Sequence, residues 1–523
     1  MNRSTISSPA FAPVRAPRAP LLAGKTAGEM VATAATATAP LLLMLFVFSI
    51  PIPAYFFIGG TRLTFTRVLL LLLFIPLMIR LFTGKAGRIR AIDILMFLFS
   101  AWMAITLLYH EGMSRIPLAG ATVMEILGGY LVGRTLVRNA TDYRLLLRCL
   151  LIVLLVLLPF AVLEFYTNKN LLRDLMASVF NSYYKSPSQT WREGYARVAS
   201  GFEHPILFGL FCVITLAPLF YLHRDKLFRA VCLAALVFAM TYMSLSSAPL
   251  IAAGLSVALI GWDYVTKGKW KPLIWVISVV FVFLSLASNR GPIRILIDNL
   301  TFNAHTAYTR IWTYEYGSAE VMRNPIMGIG LTGDWQRPGW LTGSVDNFWL
   351  VIAMRYGLPG IIMLALALGM GIRAVTRAKN LSPTEANWRT GYVISLTGLF
   401  FTLATVHIWG DVASFLMCFV GAGMWFANPR LAATAQEPVS APSGRAARGV
   451  TSSSDVEPQE AAPARDTSSR GLPTTRFAQF HERAGIQPQP PSIRTSAPFS
   501  RTRHAAEPGP GRKRPGNTNN RSE

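Results

Sequence analysis

Apolar residues recur along this chain in long runs separated by short polar gaps. The runs cover about residues 41–59, 65–82, 92–109, 116–137, 145–166, 205–222, 228–245, 248–265, 272–288, 347–375, 390–408 and 411–427. A helix needs about 20 such residues to cross the hydrocarbon core, and in lipid only a helix or a closed barrel satisfies its own backbone. The pattern predicts an all-α, polytopic membrane protein of about twelve transmembrane helices between residues 39 and 428. Two gaps are long, at 167–204 and 289–346. The second predicts an amphipathic piece carrying Arg310 and Arg323, which stops at Asn324-Pro325 before a turn punctuated by Gly328 and Gly330. Long irregular gaps in a compact chain are functional or disordered, and this one is too aromatic for disorder.

The two ends have another character. Residues 1–38 and 429–523 are polar and rich in Pro, Ala, Ser and Arg, without apolar clustering. Such segments bury too little surface to offset their ordering entropy, so both are expected to be disordered and cytoplasmic. The first apolar run has no small-residue cleavage pattern, which argues against a signal peptide. The basic end of the tail, Arg512 to Arg514, reads as solvated, with contact to anionic lipid as the alternative.

Composition agrees with the pattern. Hydrophobic residues make up 52% and charged residues 15%, where a soluble domain carries about 25% charged. The net charge of +24 does not form a nucleic-acid-binding domain, because many of the Lys and Arg punctuate the gaps between runs. With the N-terminus inside, the cytoplasmic gaps hold Arg80, Lys85, Arg88, Arg90, then Arg134, Arg138 and Arg144, and later Lys267, Lys269 and Lys271. The short gaps opposite hold few, so the positive-inside rule places both termini in the cytoplasm. The four cysteines lie within apolar runs without paired spacing, which predicts small buried hydrophobes and neither disulfides nor a metal site.

The two long outer gaps carry an excess of arginine. Arg192 and Arg197 lie in the first and Arg310 in the second. Guanidinium forks match phosphate oxygens, so a lipid pyrophosphate at the membrane surface is a natural partner for Arg197 and Arg310. Lipid-headgroup snorkelling, or ion pairs such as Arg310 with Glu315 and Arg192 with Glu193, are equally ordinary readings. Pro205 suits the first turn of a helix, which places Glu203 and His204 at its N-terminal end, as catalytic groups or as a dipole partner and an interfacial histidine. Asp346-Asn347 opens the tenth run, where Asp346 is either a proton acceptor for a sugar hydroxyl or part of a helix cap. The aromatics Tyr308, Trp312, Tyr314, Trp335 and Trp340 suit sugar stacking and interfacial anchoring alike. Glu125 and Arg355 lie within apolar runs, where a charge costs up to ~3 kcal/mol and so implies a partner or a cavity.

These residues, in this order, resemble a known family. The stretch Arg197 to Gly209 (RVASGFEHPILFG), Tyr308-Thr309-Arg310, Asn324 to Gly330 (NPIMGIG), Asp346-Asn347 and Tyr356 to Gly360 (YGLPG) carry the resemblance, with Glu164 and Ile92-Asp93. Over about residues 40–428 the chain resembles the O-antigen ligase and polysaccharide polymerase family of bacterial inner-membrane proteins, particularly its exopolysaccharide polymerase branch. The resemblance implies metal-independent glycosyl transfer on the periplasmic face, from an undecaprenyl-pyrophosphate-linked glycan to an acceptor hydroxyl, without a cofactor. It implies pyrophosphate binding by Arg197 and Arg310, and chain-length or export proteins as partners. Ligase members commonly have His-Asn where this chain has Asp346-Asn347, which favours a polymerase, with Asp346 or His204 as the base. A transporter or flippase with Glu125 as its coupling carboxylate is the rival from another class.

Overall fold

The computed structural model describes residues 39–58, 60–183, 191–287 and 304–427. The N-terminal arm, the C-terminal tail and the start of the second long gap, where Arg290 and Arg294 stand, lie outside the described residues. The described chain is mostly helical, and eight helices are long and apolar enough to cross a membrane. These are α2 (Phe65–Phe82), α3 (Ala91–Glu111), α4 (Met113–Leu136), α5 (Ala140–Thr167), α7 (Pro205–Leu222), α9 (Ser247–Thr266), α12 (Phe348–Thr376) and α14 (Gly410–Ala427). The apolar helices α1 (Ala39–Ser49), α8 (Leu227–Met243) and α10 (Trp270–Leu286) are shorter, and α13 (Pro383–Thr402) is more polar. Two helices lie in the long gaps, α6 (Leu171–Ala177) and α11 (Ala304–Arg323).

The first run is not one long helix, contrary to the expectation from its length. Pro51 and Pro53 follow Ser49, and the chain continues as strand β1 (Ala54–Ile58). It turns back through β2 (Thr61–Thr64), and β3 (Asn181–Ser182) from the first long gap joins the other edge of β1. Proline lacks the N–H that a continuing helix would use, so the apolar run is spent on a hairpin instead. A second, two-stranded hairpin is formed by β4 (Trp191–Arg192) and β5 (Tyr195–Ala196).

Local chemistry sets the remaining ends. Asn139 accepts from Asp142 N at 2.8 Å to start α5, and Ser382 and Glu385 form a reciprocal cap on α13. Helices α4 and α14 approach backbone to backbone, since a Cβ on Gly133 would meet Cys418 O at 1.8 Å. Small residues at such a seam replace the hydrophobic drive that lipid does not supply. Asp93 on α3 binds Arg134 on α4 at 2.9 Å and accepts from Tyr130, a satisfied ion pair sealed inside the bundle. Cys149, Cys212 and Cys418 are buried as expected, whereas Cys232 on α8 is exposed.

Helix α12 is broken by design of its sequence. Gly357 takes φ 69° and ψ −177°, values a side chain resists, one turn after Ala353. The loop at 325–330 fills the break. Ile329 N donates to Met354 O at 2.8 Å, Gly330 N to Arg355 O at 3.2 Å, and Leu358 N to Pro325 O at 2.7 Å. Trp102 Nε1 takes the freed carbonyl of Tyr356 at 2.8 Å. The two motifs NPIMGIG and YGLPG are therefore the two sides of one joint, which holds the second long gap against the membrane domain.

Candidate functional site

The N-terminal ends of α2, α7 and α14 meet around a small polar pocket. Its volume is about 10 Å³, and its walls include Arg62, Arg67, Glu125, Glu203 and Asp411. Arg62 forks onto Glu203 at 3.1 and 3.2 Å, and Trp409 Nε1 donates to the same carboxylate at 3.0 Å. Burial works against the Arg62 charge, but the hydrogen bonds and charge of Glu203 outweigh it and raise the Arg62 pKa. Arg67 Nε donates to Glu125 at 2.7 Å, and Thr64 donates to Asp411 at 2.7 Å. Glu125 sits in a π-helical turn of α4, Met124–Gly128, a local widening common at functional positions.

Beside this pocket, and sharing Trp409 with it, lies a cavity of about 530 Å³. His204, Asp346, Arg355, His407 and Trp335 line it, at the N-terminal ends of α7 and α12 and the turn before α14. The neighbours Glu203 and His204 thus part company, one facing the inner pocket and the other the cavity. The backbone before them is held by Glu164 at the end of α5, which accepts from Ala199 N at 3.2 Å and Ser200 N at 2.8 Å. Arg173 holds the carbonyl of Phe202 from the other side.

His204 caps α7, its Nδ1 accepting from Ile206 N at 3.1 Å. Burial and the nearby Arg197 charge lower its pKa to about 4, so the ring is neutral with its proton on Nε2. His407 stacks between Phe348 and Trp409, with ring centroids 6.1 and 5.9 Å away. Burial and Arg355 lower its pKa to about 3. Both imidazoles are uncharged above about pH 6.5 whether the chain is folded or not. Below that, the unfolded chain takes up protons that the folded rings refuse until about pH 4 and about pH 3. Stability present above pH 6.5 is therefore lost as pH falls through this window. The melting temperature in detergent should drop between pH 6.5 and 4, less steeply in the double variant H204Q/H407F; equal slopes would refute this origin.

The other expected site residues are placed as follows. Asp346 is exposed at the cavity rim with Ser344 Oγ at 3.4 Å, while Asn347 does the capping, accepting from Leu350 N at 3.0 Å. Arg310 lies within the field of Asp346. Burial lowers its pKa, Asp346 opposes that and Arg192 adds to it, and its Nε has no partner among the described residues. Arg197 and Arg192 brace the turn between α8 and α9: Arg197 Nη2 donates to Ser246 Oγ at 2.8 Å and Arg192 Nη1 to Leu245 O at 2.7 Å. Among the described residues neither the Arg310–Glu315 nor the Arg192–Glu193 ion pair forms. Of the five loop aromatics, Trp335 lines the cavity, while Trp312 packs edge-on to Trp340 and Tyr308 and Tyr314 are exposed.

Five residues of the two cavities escaped sequence reasoning. Arg62 precedes the second apolar run and Arg67 stands at its start, while His407 lies at the end of the run 390–408, Trp409 in the two-residue gap after it and Asp411 at the start of the run 411–427. Glu125 was expected to need a partner, and Arg67 supplies it. Glu125→Gln removes the charge that Arg67 faces and should lower stability by roughly 2 kcal/mol, read as a fall in melting temperature. If the melting temperature were unchanged, the pair would be dispensable to folding.

No protein-family model matches the chain, and a search of curated proteins finds no match.

Proposed function

We propose that this protein is a polytopic inner-membrane glycosyltransferase of bacteria that polymerises undecaprenyl-pyrophosphate-linked oligosaccharide repeat units on the periplasmic face. The observation that carries the reading is the cavity of about 530 Å³, with one exposed carboxylate at its rim and guanidinium and imidazole groups around it. The resemblance of the motifs to the polysaccharide polymerase family supports it, since NPIMGIG and YGLPG form the joint, His204 and Asp346 line the cavity, and Glu203 lines the pocket beside it. In this reading about twelve helices cross the membrane, both termini are cytoplasmic, and the helix ends around the cavity are periplasmic.

The geometry divides the labour. Glu203 already accepts from Arg62 and Trp409, and His204 spends its lone pair on a backbone N–H. Asp346 is the carboxylate left to take a proton from the acceptor hydroxyl. That oxygen then forms the new bond to the anomeric carbon as the bond to the carrier pyrophosphate breaks. The departing oxyanion is stabilised by Arg310, which keeps its charge at any working pH. Glu125 is tied to Arg67, so it is not the free intramembrane carboxylate that ion-coupled transport would use.

The test is the length profile of surface polysaccharide from cells lacking the protein, beside cells rescued with Arg310→Ala. Polymerase function predicts single repeat units without long chains, and failed rescue by the variant. Long polymer retained on its lipid carrier would assign a ligase instead, and an unchanged profile would return the transporter to consideration.

A further inference from the structure

Arg355 has no described partner. It stands two residues before the break in α12, inside a helix apolar enough to span the membrane, and it lines the cavity. Its backbone is pinned, because its carbonyl accepts from Gly330 N at 3.2 Å. Its guanidinium makes no hydrogen bond or ion pair with any described residue. Charges in spanning helices are costly and almost always face a partner or a water-filled cavity. Three other arginines near the site are occupied: Arg62 by Glu203, Arg67 by Glu125 and Arg197 by the turn at Ser246.

A second observation points the same way. His407 Nδ1 is buried with no partner. An orphaned buried N–H is rarer than an orphaned acceptor, so the proton belongs on Nε2. His204 reaches the same state by another route, its Nδ1 being used as the cap of α7. Each ring thus offers an Nε2–H donor, and both lie beside Trp409, whose own N–H is committed to Glu203. The N-terminal ends of α7 and α12 add positive dipole ends to the same wall. This part of the cavity holds donors and positive charge, and its one acidic side chain, Asp346, is at the rim.

We propose that Arg355, with His204 and His407, forms an oxyanion-binding subsite within the cavity, taking a carboxylate or phosphate-type group of the glycan substrate. What carries that group rests on the functional reading above; anion binding itself does not. Two sources share the chemistry, an acidic substituent on a sugar and the pyrophosphate of the lipid carrier. A guanidinium fork would hold either in two parallel hydrogen bonds, with the imidazole N–H groups completing the remaining oxygens.

The experiment uses the full chain in lipid nanodiscs and measures binding of glucuronate, of inorganic pyrophosphate and of glucose as a neutral control. One anion should bind in a salt-sensitive manner and glucose should not, with R355Q weakening the anion by about 10- to 100-fold. Preference for glucuronate would identify an acidic sugar, and preference for pyrophosphate the carrier end. No anion binding by the wild type, or equal binding by R355Q, would overturn the proposal. Should R355Q fail to fold, S344W serves in its place: Ser344 is exposed on the cavity wall, and a tryptophan there should obstruct the cavity while keeping the Arg355 side chain. Undiminished anion binding in S344W would equally overturn it. Anion binding that persists alongside an unchanged polysaccharide profile would support the subsite and defeat the polymerase reading, so the two fail separately.

Discussion

Asp346→Asn should reduce chain extension by about 10²- to 10⁴-fold, the usual worth of a positioned general base. The substitution keeps the shape of the side chain and removes its ability to take a proton. Folding should be untouched, because Asp346 is exposed, its side-chain hydrogen bonding among the described residues is a 3.4 Å approach from Ser344, and the cap of α12 is Asn347. Surface substitutions of this kind change stability by roughly 0.5 kcal/mol or less. The measurement is polymer length and rate from lipid-linked repeat units with purified protein, beside a thermal melt of the same sample. An unchanged melt with a rate within threefold of wild type would remove Asp346 from the mechanism. The expected contrast is with Glu203, whose carboxylate is bound by Arg62 and Trp409. Glu203→Gln should be read first as a loss of that ion pair.

Gly357→Ala should cost about 3 kcal/mol or more and deplete the protein from the membrane. Two effects add. The backbone at φ 69° disfavours any side chain, and a Cβ there would lie 2.0 Å from Ile326 O. Neither partner can yield, because the 325–330 loop is held to the broken helix by three backbone hydrogen bonds. Gly328 presses from the other side, where a Cβ would meet Met354 O at 2.4 Å. Gly339→Ala is the control, since nothing lies within 4 Å of the added carbon. The check is the level of protein in the membrane and its unfolding temperature. Equal behaviour of the two variants would show that the joint tolerates separation. Because the joint also positions Asp346 and Arg355 on either end of the same helical segment, milder disruption should lower activity before it lowers abundance.

The candidate site is partly legible in the sequence. His204 and Asp346 stood out as polar residues at the mouths of apolar runs, and both line the cavity. Glu125 stood out because a carboxylate inside a span demands a partner, though nothing in the sequence named Arg67, 58 positions away. Arg197 illustrates the limit. Its guanidinium suits phosphate as well as any, yet the backbone held by Glu164 turns it toward Ser244 and Ser246. Residue type determines what a side chain is able to bind, while its direction follows from packing elsewhere in the chain.

What the sequence determined by itself was the membrane class and the order of the helices, because lipid imposes a length and polarity rule on each run independently of its neighbours. It also determined local ends: the proline stop after Ser49, the proline start at Pro205 and the asparagine caps. Tertiary structure alone decided that NPIMGIG and YGLPG form one joint and that Trp409 divides an ion-paired pocket from an open cavity. It alone decided that the Arg355 guanidinium lines the cavity without a hydrogen bond or ion pair among the described residues. These outcomes depend on backbone groups and side chains far apart in sequence meeting at a few ångströms. No period, run or composition encodes such a meeting, because pairing energies are set by distance in space and not by separation along the chain.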